Sequence, residues 1–294
     1  MHNLGLLFDV DGPIASPVTR TIAIRSIVTD LVAMAAAGVP IAFITGRSGD
    51  FIRHQVVAPL CAAGLDDALA RQGSRMFGVF EKGGAWAPIT GEGMGEVTVD
   101  DSVALPEEAV NGIRSLVRDR FADTMFFDET KRAMISVEQR TDVDADTYRE
   151  SQLRFQDEAF ELLTGLGLGL RYGEREASDA EGAVPFRIDP TIISTDIESV
   201  LLDKDRGARR AFDYFAARGP LPARWRSVGD SRSDYKMADF VHSTGRDVAH
   251  VDVRPADGIL ERPYEVITIG DATHDEAGAE FLAHWRRELG LADA

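Results

Sequence analysis

The sequence predicts an α/β fold in which a mostly parallel sheet is interrupted by an inserted α+β domain. Two observations carry this. Toward both ends of the chain, short apolar runs alternate with stretches of helical spacing: strands at Leu4–Phe8, 39–44, 225–228, 247–253 and 265–269, helices at 21–37, 51–57, 204–218 and 274–289. Such alternation asks for a parallel sheet covered on both faces. Between about 84 and 187 the pattern changes. Short, more polar strands (124–127, 132–137) accompany two strong helices, 106–121 and 146–163, with Gly-, Asp- and Glu-rich loops at 91–95 and 173–182. A segment of roughly 100 residues suffices for its own small core. The predicted organisation is a discontinuous core, 1–84 and 188–294, with the insertion at 85–187.

Each element has a local reason. Leu4–Phe8 is a buried strand that runs into the turn signal Asp9-Val10-Asp11-Gly12-Pro13. The helix over 21–37 has Gly38 as its C-cap. The strand over 39–44 closes on Thr45-Gly46-Arg47-Ser48, and Ser48 or Asp50 caps the helix that follows. Late in the chain, 225–228 ends in Gly229-Asp230-Ser231-Arg232-Ser233-Asp234.

Composition narrows the function classes. With 44% hydrophobic and 28% charged residues, the 294-residue chain is ordinary for a globular protein. No apolar stretch approaches the roughly 20 residues of a membrane span, so no membrane partner is expected. The N-terminus lacks a signal-peptide pattern, and the single Cys61 permits no internal disulfide; a reduced, cytoplasmic setting fits. A net charge of −17 argues against a general nucleic-acid binder. It leaves a small phosphorylated substrate open, because one metal ion and one or two cations reverse the sign of a pocket.

In an open α/β sheet, ligands bind beyond the carboxyl ends of the strands. Four loops there carry chemistry. Asp9 and Asp11, two apart in an extended segment, point the same way; their repulsion asks for a cation or a shared proton, and one suits a nucleophile, the other a proton carrier. The Thr45 hydroxyl and Gly46 N–H suit a phosphoryl oxygen at a helix N-terminus. Lys204 is a cation at a helix start. Asp230 and Asp234 suit a hard cation such as Mg²⁺. Singly, each has a plain alternative: an Asp-Gly turn, turn chemistry, a surface lysine, an Asp-capped helix. Their order and placement decide.

That order resembles the haloacid dehalogenase superfamily, over roughly 1–84 and 188–294. The resemblance implies a Rossmann-like core. It makes Asp9 the nucleophile and a metal ligand, and Asp11 the general acid/base with its backbone carbonyl on the metal. Thr45 and Lys204 become the phosphate-binding pair, Asp230 a direct Mg²⁺ ligand and Asp234 its supporting carboxylate. The insertion looks like the C2-type cap of Cof-like, sucrose-phosphate, trehalose-phosphate and mannosyl-phosphoglycerate phosphatases. Phe80-Glu81-Lys82-Gly83-Gly84-Ala85 stands where these often carry Glu-Asn-Gly-Ala, and Thr-Gly-Arg is their usual second motif. Three departures stand out: Pro13 for the usual Thr or Val, Ser233 for the common Asn, and Asp205-Arg206 between Lys204 and Gly207.

The expected activity is Mg²⁺-dependent hydrolysis of a small phosphomonoester, a sugar phosphate foremost, through an aspartyl-phosphate. The rivals are a phosphomannomutase-like phosphomutase and a non-catalytic binding protein. Oligomeric state, monomer or dimer, stays open. Gly46, Arg47 and Arg187 are the candidate substrate contacts. Arg47 alternatively braces the second loop, and Arg140 and Arg187 alternatively form surface salt bridges. Trp86 reads as filler at the cap–core junction, Cys61 as a buried thiol, and the six histidines (His2, His54, His242, His250, His274, His284) show no metal-ligand spacing.

Overall fold

Leu4–Phe8 (β1) is fully buried, as its LGLLF sequence requires, and it sits in the middle of a sheet with strands on either side. A computed structural model describes residues 3–71 and 73–291. The chain divides into two compact units, 1–98 with 203–294, and 99–202.

In the first unit the chain runs β1, α1 (Arg25–Ala36), β2 (Ile41–Ile44), α2 (Gly49–Ile52), a π-helical turn Arg53–Val57, α3 (Ala58–Ala62), α4 (Leu65–Leu69) and β3 (Met76–Phe80). It continues with β4 (Ala85–Thr90) and β5 (Gly93–Met94). After β6 (Thr98–Val99) the chain enters the second unit. That unit holds α5 (Glu107–Arg120), β7 (Met125–Phe127), β8 (Ile135–Gln139), α6 (Ala145–Gly165), β9 (Leu170–Tyr172), β10 (Arg175–Ala177), β11 (Phe186–Pro190) and β12 (Ser194–Ser199). The first unit then resumes with α7 (Lys204–Ala216), β13 (Arg224–Gly229), α8 (Tyr235–Ser243), β14 (Asp247–Asp252), β15 (Glu265–Ile267) and α9 (His274–Glu288).

The first unit's sheet has the order β15-β14-β13-β1-β2-β3-β4-β5. From β15 to β3 every pairing is parallel, and β3–β4 and β4–β5 are antiparallel. The strand order reverses at β1: β2 and β3 build one side, β13 to β15 the other. The carboxyl ends of β1, β2 and β13 therefore open a crevice at the switch point, where α/β sheets bind ligands. Both faces are covered. Leu7, Ala42, Ile44, Phe77, Val79 and Trp225 meet Ala208, Ala211, Phe212 and Phe215 of α7 and Met237, Ala238 and Val241 of α8. On the other face Phe8 meets Phe281 of α9 edge-on, 6.1 Å between centroids, and Asp30 of α1 makes a buried 2.6 Å ion pair with Arg286 of α9.

The second unit has a six-stranded sheet, β10-β9-β11-β12-β8-β7, antiparallel except for β11–β9. Ile113 and Val117 of α5 and Phe155, Ala159 and Leu163 of α6 pack on Ile135, Val137, Ile188 and Ile197 of the sheet. Residues 136, 187, 196 and 198 alternate to the opposite face, where Ser136 donates to Asp196 at 2.7 Å and Arg187 to Glu198 at 2.6 Å.

The observed units differ from the expected boundaries at both junctions. The stretch 85–98 stays with the first unit, because β4 extends the first sheet by pairing with β3 from Met76↔Ile89 to Phe80↔Ala85. The stretch 188–202 stays with the second, because β11 and β12 form a hairpin inside its sheet. The first helix starts at Arg25 rather than 21. A turn occupies the preceding residues, with Arg20 N–H donating to Ser16 O at 2.8 Å and Arg20 in the left-handed region (φ 58°). Trp86 lies in the first unit, its ring under the Arg210 guanidinium at 3.8 Å. Among the described residues no helix is long and apolar enough to cross a membrane.

His250 on β14 is fully buried. Its Nδ1 lies 2.8 Å from the Ser227 hydroxyl on β13, and its ring centroid 4.0 Å from that of Tyr235. Burial pushes its pKa from the ordinary 6.5 down to about 4. Between those values the unfolded chain binds the extra proton and the folded chain does not, so stability falls as pH falls through that window. His250→Gln is expected to flatten the fall by up to about 3 kcal/mol, read from denaturant midpoints between pH 6.5 and 4. An unchanged pH profile would show that His250 is not the group responsible.

Candidate active site

β1 delivers Asp9 to the crevice with only 7% of its surface exposed. The Asp9 N–H donates to Val228 O at 2.9 Å, which ties the start of the first loop to β13. Val10 N–H donates to Asp9 Oδ1 at 2.7 Å. Ile14 and Ala15 donate to Val10 O at 3.2 and 2.8 Å and close the turn beyond. These closing bonds come from the neighbours of Pro13, so the turn keeps them although proline has no N–H. Gly12 is left-handed (φ 94°), and a Cβ there would stand 2.7 Å from the Asp230 carboxyl carbon. Only glycine satisfies both conditions.

Lys204, first residue of α7, is buried with Asp9 and Asp234. Its Nζ lies 2.7 Å from Asp9 Oδ1 and 2.5 Å from Asp234 Oδ1, and it donates to Ile44 O at 3.0 Å. The helix reaches this depth because Gly207 faces β2: a Cβ there would be 2.4 Å from the Ile44 side chain. The two extra residues between Lys204 and Gly207 therefore leave the lysine in the cluster. Asp234 is fully buried at the start of α8; its Oδ2 accepts from Asp230 N–H (3.1 Å), Ser231 N–H (2.9 Å) and the Ser231 hydroxyl (2.8 Å).

Donor oxygens of Asp9, Asp230 and Asp234 lie within 4.8 Å of one another. Burial, then the Asp234 charge, holds the Asp9 carboxyl well above the usual carboxylate range, against the pull of Lys204. Burial and Asp234 push Asp230 up to about 6. Burial opposes the charge of Asp234 as well, but Lys204 and Ser231 outweigh it and keep Asp234 below its ordinary value. Three clustered carboxylates face one lysine. Hard divalent cations select such oxygen-donor sets.

The Asp11 carboxylate is not in this trio. Arg47 holds it with two hydrogen bonds, Nε to Oδ2 at 2.9 Å and the terminal nitrogen to Oδ1 at 3.0 Å, and the guanidinium also lies over the Phe51 ring at 4.8 Å. Thr45 is fully buried after β2, and its Oγ1 accepts from Arg47 N–H at 3.1 Å. Ser48 is the helix cap, accepting from Phe51 N–H at 3.3 Å. Gly46 lies beside Lys82, whose Cε would be 3.8 Å from a Cβ at that position. Glu81 N–H donates to Arg47 O and Lys82 N–H to Thr45 O, at 3.1 and 3.0 Å, so the turn after β3 is fastened to the second loop. Glu81 and Lys82 are both left-handed (φ 51° and 53°), and Glu81 is buried. Consecutive non-glycine residues in that region store strain of a kind that clusters at functional sites.

Arg187 belongs to the second unit, where its guanidinium donates to Glu198 and to Leu202 O at 3.0 Å. Arg140 pairs with exposed Asp142 at 2.8 Å. Among the histidines, His2 lies outside the described residues, whereas His274 stands beside Asp230, Nδ1 to Oδ2 3.6 Å. Spacing gave no sign of it. The legible cue was its place at a helix start just past the last strand.

No family model and no curated protein sequence matches the chain. Solved structures do. The C. albicans trehalose-6-phosphate phosphatase C-terminal domain aligns over 98% of this chain and 92% of its own, with a TM-score of 0.65 and 13% identity. The haloacid dehalogenase-like fold is therefore this chain's fold. A haloacid dehalogenase-like hydrolase from Bacteroides thetaiotaomicron covers 96% of this chain and 98% of its own (TM-score 0.57, 12% identity). The Plasmodium falciparum IMP-nucleotidase covers 97% of this chain and 63% of its own (TM-score 0.53, 11% identity).

Lys204→Ala would leave Asp9 and Asp234 buried without their shared cation. In EDTA this is expected to destabilise the protein by about 3 kcal/mol or more, measured by chemical denaturation. A wild-type midpoint would show that the cluster's charge is balanced elsewhere.

Proposed function

We propose that this chain is a Mg²⁺-dependent phosphomonoester hydrolase that acts on a small phosphorylated metabolite, with a sugar phosphate foremost. One observation carries the reading: the buried Asp9 carboxylate at the switch point shares Lys204 with Asp234 and lies within ligand distance of Asp230. The named activities of two structures with the same fold, trehalose-6-phosphate phosphatase and IMP-nucleotidase, point to the same class of substrate.

Asp9, Asp230 and Asp234, with the Asp11 backbone carbonyl, would hold the metal. The donor set fits. It is all oxygen, buried at Asp9 and Asp234 and half-buried at Asp230, and in excess of its one lysine, and the raised Asp230 carboxyl records how costly its charge is without a further cation. When bound, Mg²⁺ supplies charge neutralisation and positioning for an anionic substrate. The remaining work falls to the chain. Asp9 attacks phosphorus in line and carries the phosphoryl group as an acyl phosphate. Lys204 offsets the charge of Asp9 and of the substrate. The Thr45 hydroxyl and Gly46 N–H hold a phosphoryl oxygen. Asp11 donates a proton to the leaving oxygen and later takes one from water. In the observed arrangement Arg47 donates to both Asp11 oxygens. Donation requires one of these oxygens to be freed, so in this reading Arg47 positions Asp11 as well as bracing the loop. Phosphoryl transfer asks mainly for positioning and charge stabilisation, and this set supplies both.

The test is inorganic phosphate release across a panel of phosphorylated metabolites. Activity is expected to vanish in EDTA and return with Mg²⁺ but not Ca²⁺, whose longer and looser coordination spoils in-line geometry. Asp9→Asn is expected to remain folded and lose about 10³-fold or more in turnover. Full activity in EDTA would remove the metal from the proposal. Near-normal turnover of Asp9→Asn would remove the covalent route.

A further inference from the structure

We propose that His274 is a positioning residue of the metal site, holding the Asp230 carboxylate through an Nδ1–H donor, with α9 as the element that aims it. The inference rests on the reading of Asp9, Asp230 and Asp234 as a cation site.

The three carboxylates are not equally fixed. Asp9 is held by Lys204 and by Val10 N–H, and Asp234 by Lys204 and three donors of the 230–231 segment. For Asp230 the nearest ion-pair partner among the described residues is His274, Nδ1 to Oδ2 3.6 Å. That nitrogen is buried and has no hydrogen-bond partner there. A separation of 3.6 Å is about half an ångström beyond a hydrogen bond, so a small shift of either group closes it. Gly12 packs against the Asp230 carboxyl group. The carboxylate of a metal ligand needs such an outer partner, because the oxygen that does not touch the metal otherwise leaves its direction free.

The backbone supports the same reading. His274 is left-handed (φ 51°) at the first position of α9, and its N–H donates to Val253 O, just past β14, at 2.8 Å. A non-glycine residue in that region costs about 1 kcal/mol or more and persists where its surroundings over-determine it. Here they do. Arg286 pairs with Asp30, Phe281 packs on Phe8, and Gly278 lies so close to the first loop that a Cβ would come within 1.9 Å of Pro13 O. The helix is thus seated against the loop that carries Asp9 and Asp11, with its first residue turned toward Asp230.

Two substitutions separate side chain from backbone. Asparagine tolerates the left-handed region and offers an amide donor close to where Nδ1 stands; glycine tolerates the same backbone and offers none. Mg²⁺ affinity is to be measured by titration calorimetry for wild type, His274→Asn and His274→Gly, with denaturation of each in EDTA. His274→Asn is expected to bind Mg²⁺ within about threefold of wild type, and His274→Gly about tenfold or more weakly, both with metal-free midpoints at or above wild type. Wild-type affinity in His274→Gly would overturn the inference. An equal loss in His274→Asn would overturn the donor role. A wild-type chain that binds no Mg²⁺ would instead overturn the cation-site reading, and the inference with it.

Discussion

The interaction on which the site depends is the buried contact of Lys204 with Asp9 and Asp234. It joins three loops far apart in sequence, after β1, at the start of α7 and at the start of α8. Each needs the same ammonium. Breaking such a buried pair exposes an uncompensated charge to low dielectric, so the three loops are fixed together. The geometry around it follows from this. Gly207 lets α7 sink onto Ile44, and the Asp230 and Ser231 N–H groups turn inward to Asp234 because their carboxylate is already held by the lysine. One lysine against three carboxylates leaves an excess of negative charge, which a further cation in the crevice would offset.

Much of this was legible because strand ends are where the sequence changes character most abruptly. LGLLF into Asp9 and IAFI into Thr45 each pass from apolar to polar in one residue, and the hydrophobic pattern fixes both register and exit. The resemblance of the four loops to one superfamily then placed Lys204, which composition alone would have left on the surface. Both sets of expected core strands join the same sheet, in parallel.

What escaped the sequence was set by interactions with no period. β12 reads STDIES, too polar for an apolar strand, yet all six residues are buried. One face meets the helices through Ile197 and Thr195, and the other carries the Ser136–Asp196 and Arg187–Glu198 contacts. Polar burial of this kind depends on partners on other elements, eleven residues away for Arg187–Glu198 and sixty for Ser136–Asp196, so it leaves no periodic trace. β4 contains Pro88, which demotes a run from strand in any propensity reading. In the fold, residues 85–90 pair with β3 all the same, and the unit boundary moves with them. His274 escaped for a third reason. Its role depends on a left-handed backbone and a carbonyl at the end of another strand, neither of which is written in residue spacing.

The contrast between whole-chain charge and site charge follows the same logic. A formal −17 suggests an acidic protein without saying where the acid matters. In the second unit, exposed carboxylates pair locally, Glu129 with Arg114 and Asp157 and Glu161 with Arg175, and such surface pairs contribute about 1 kcal/mol or less. They are screened by salt and by water, and exchanging them would change solubility more than chemistry. Asp9, Asp230 and Asp234 have lost most of that screening, so their mutual repulsion must be met by groups in the crevice itself. Burial, rather than the number of acidic residues, converts a common composition into a specific electrostatic demand, and the sheet's switch point is where this fold places that burial.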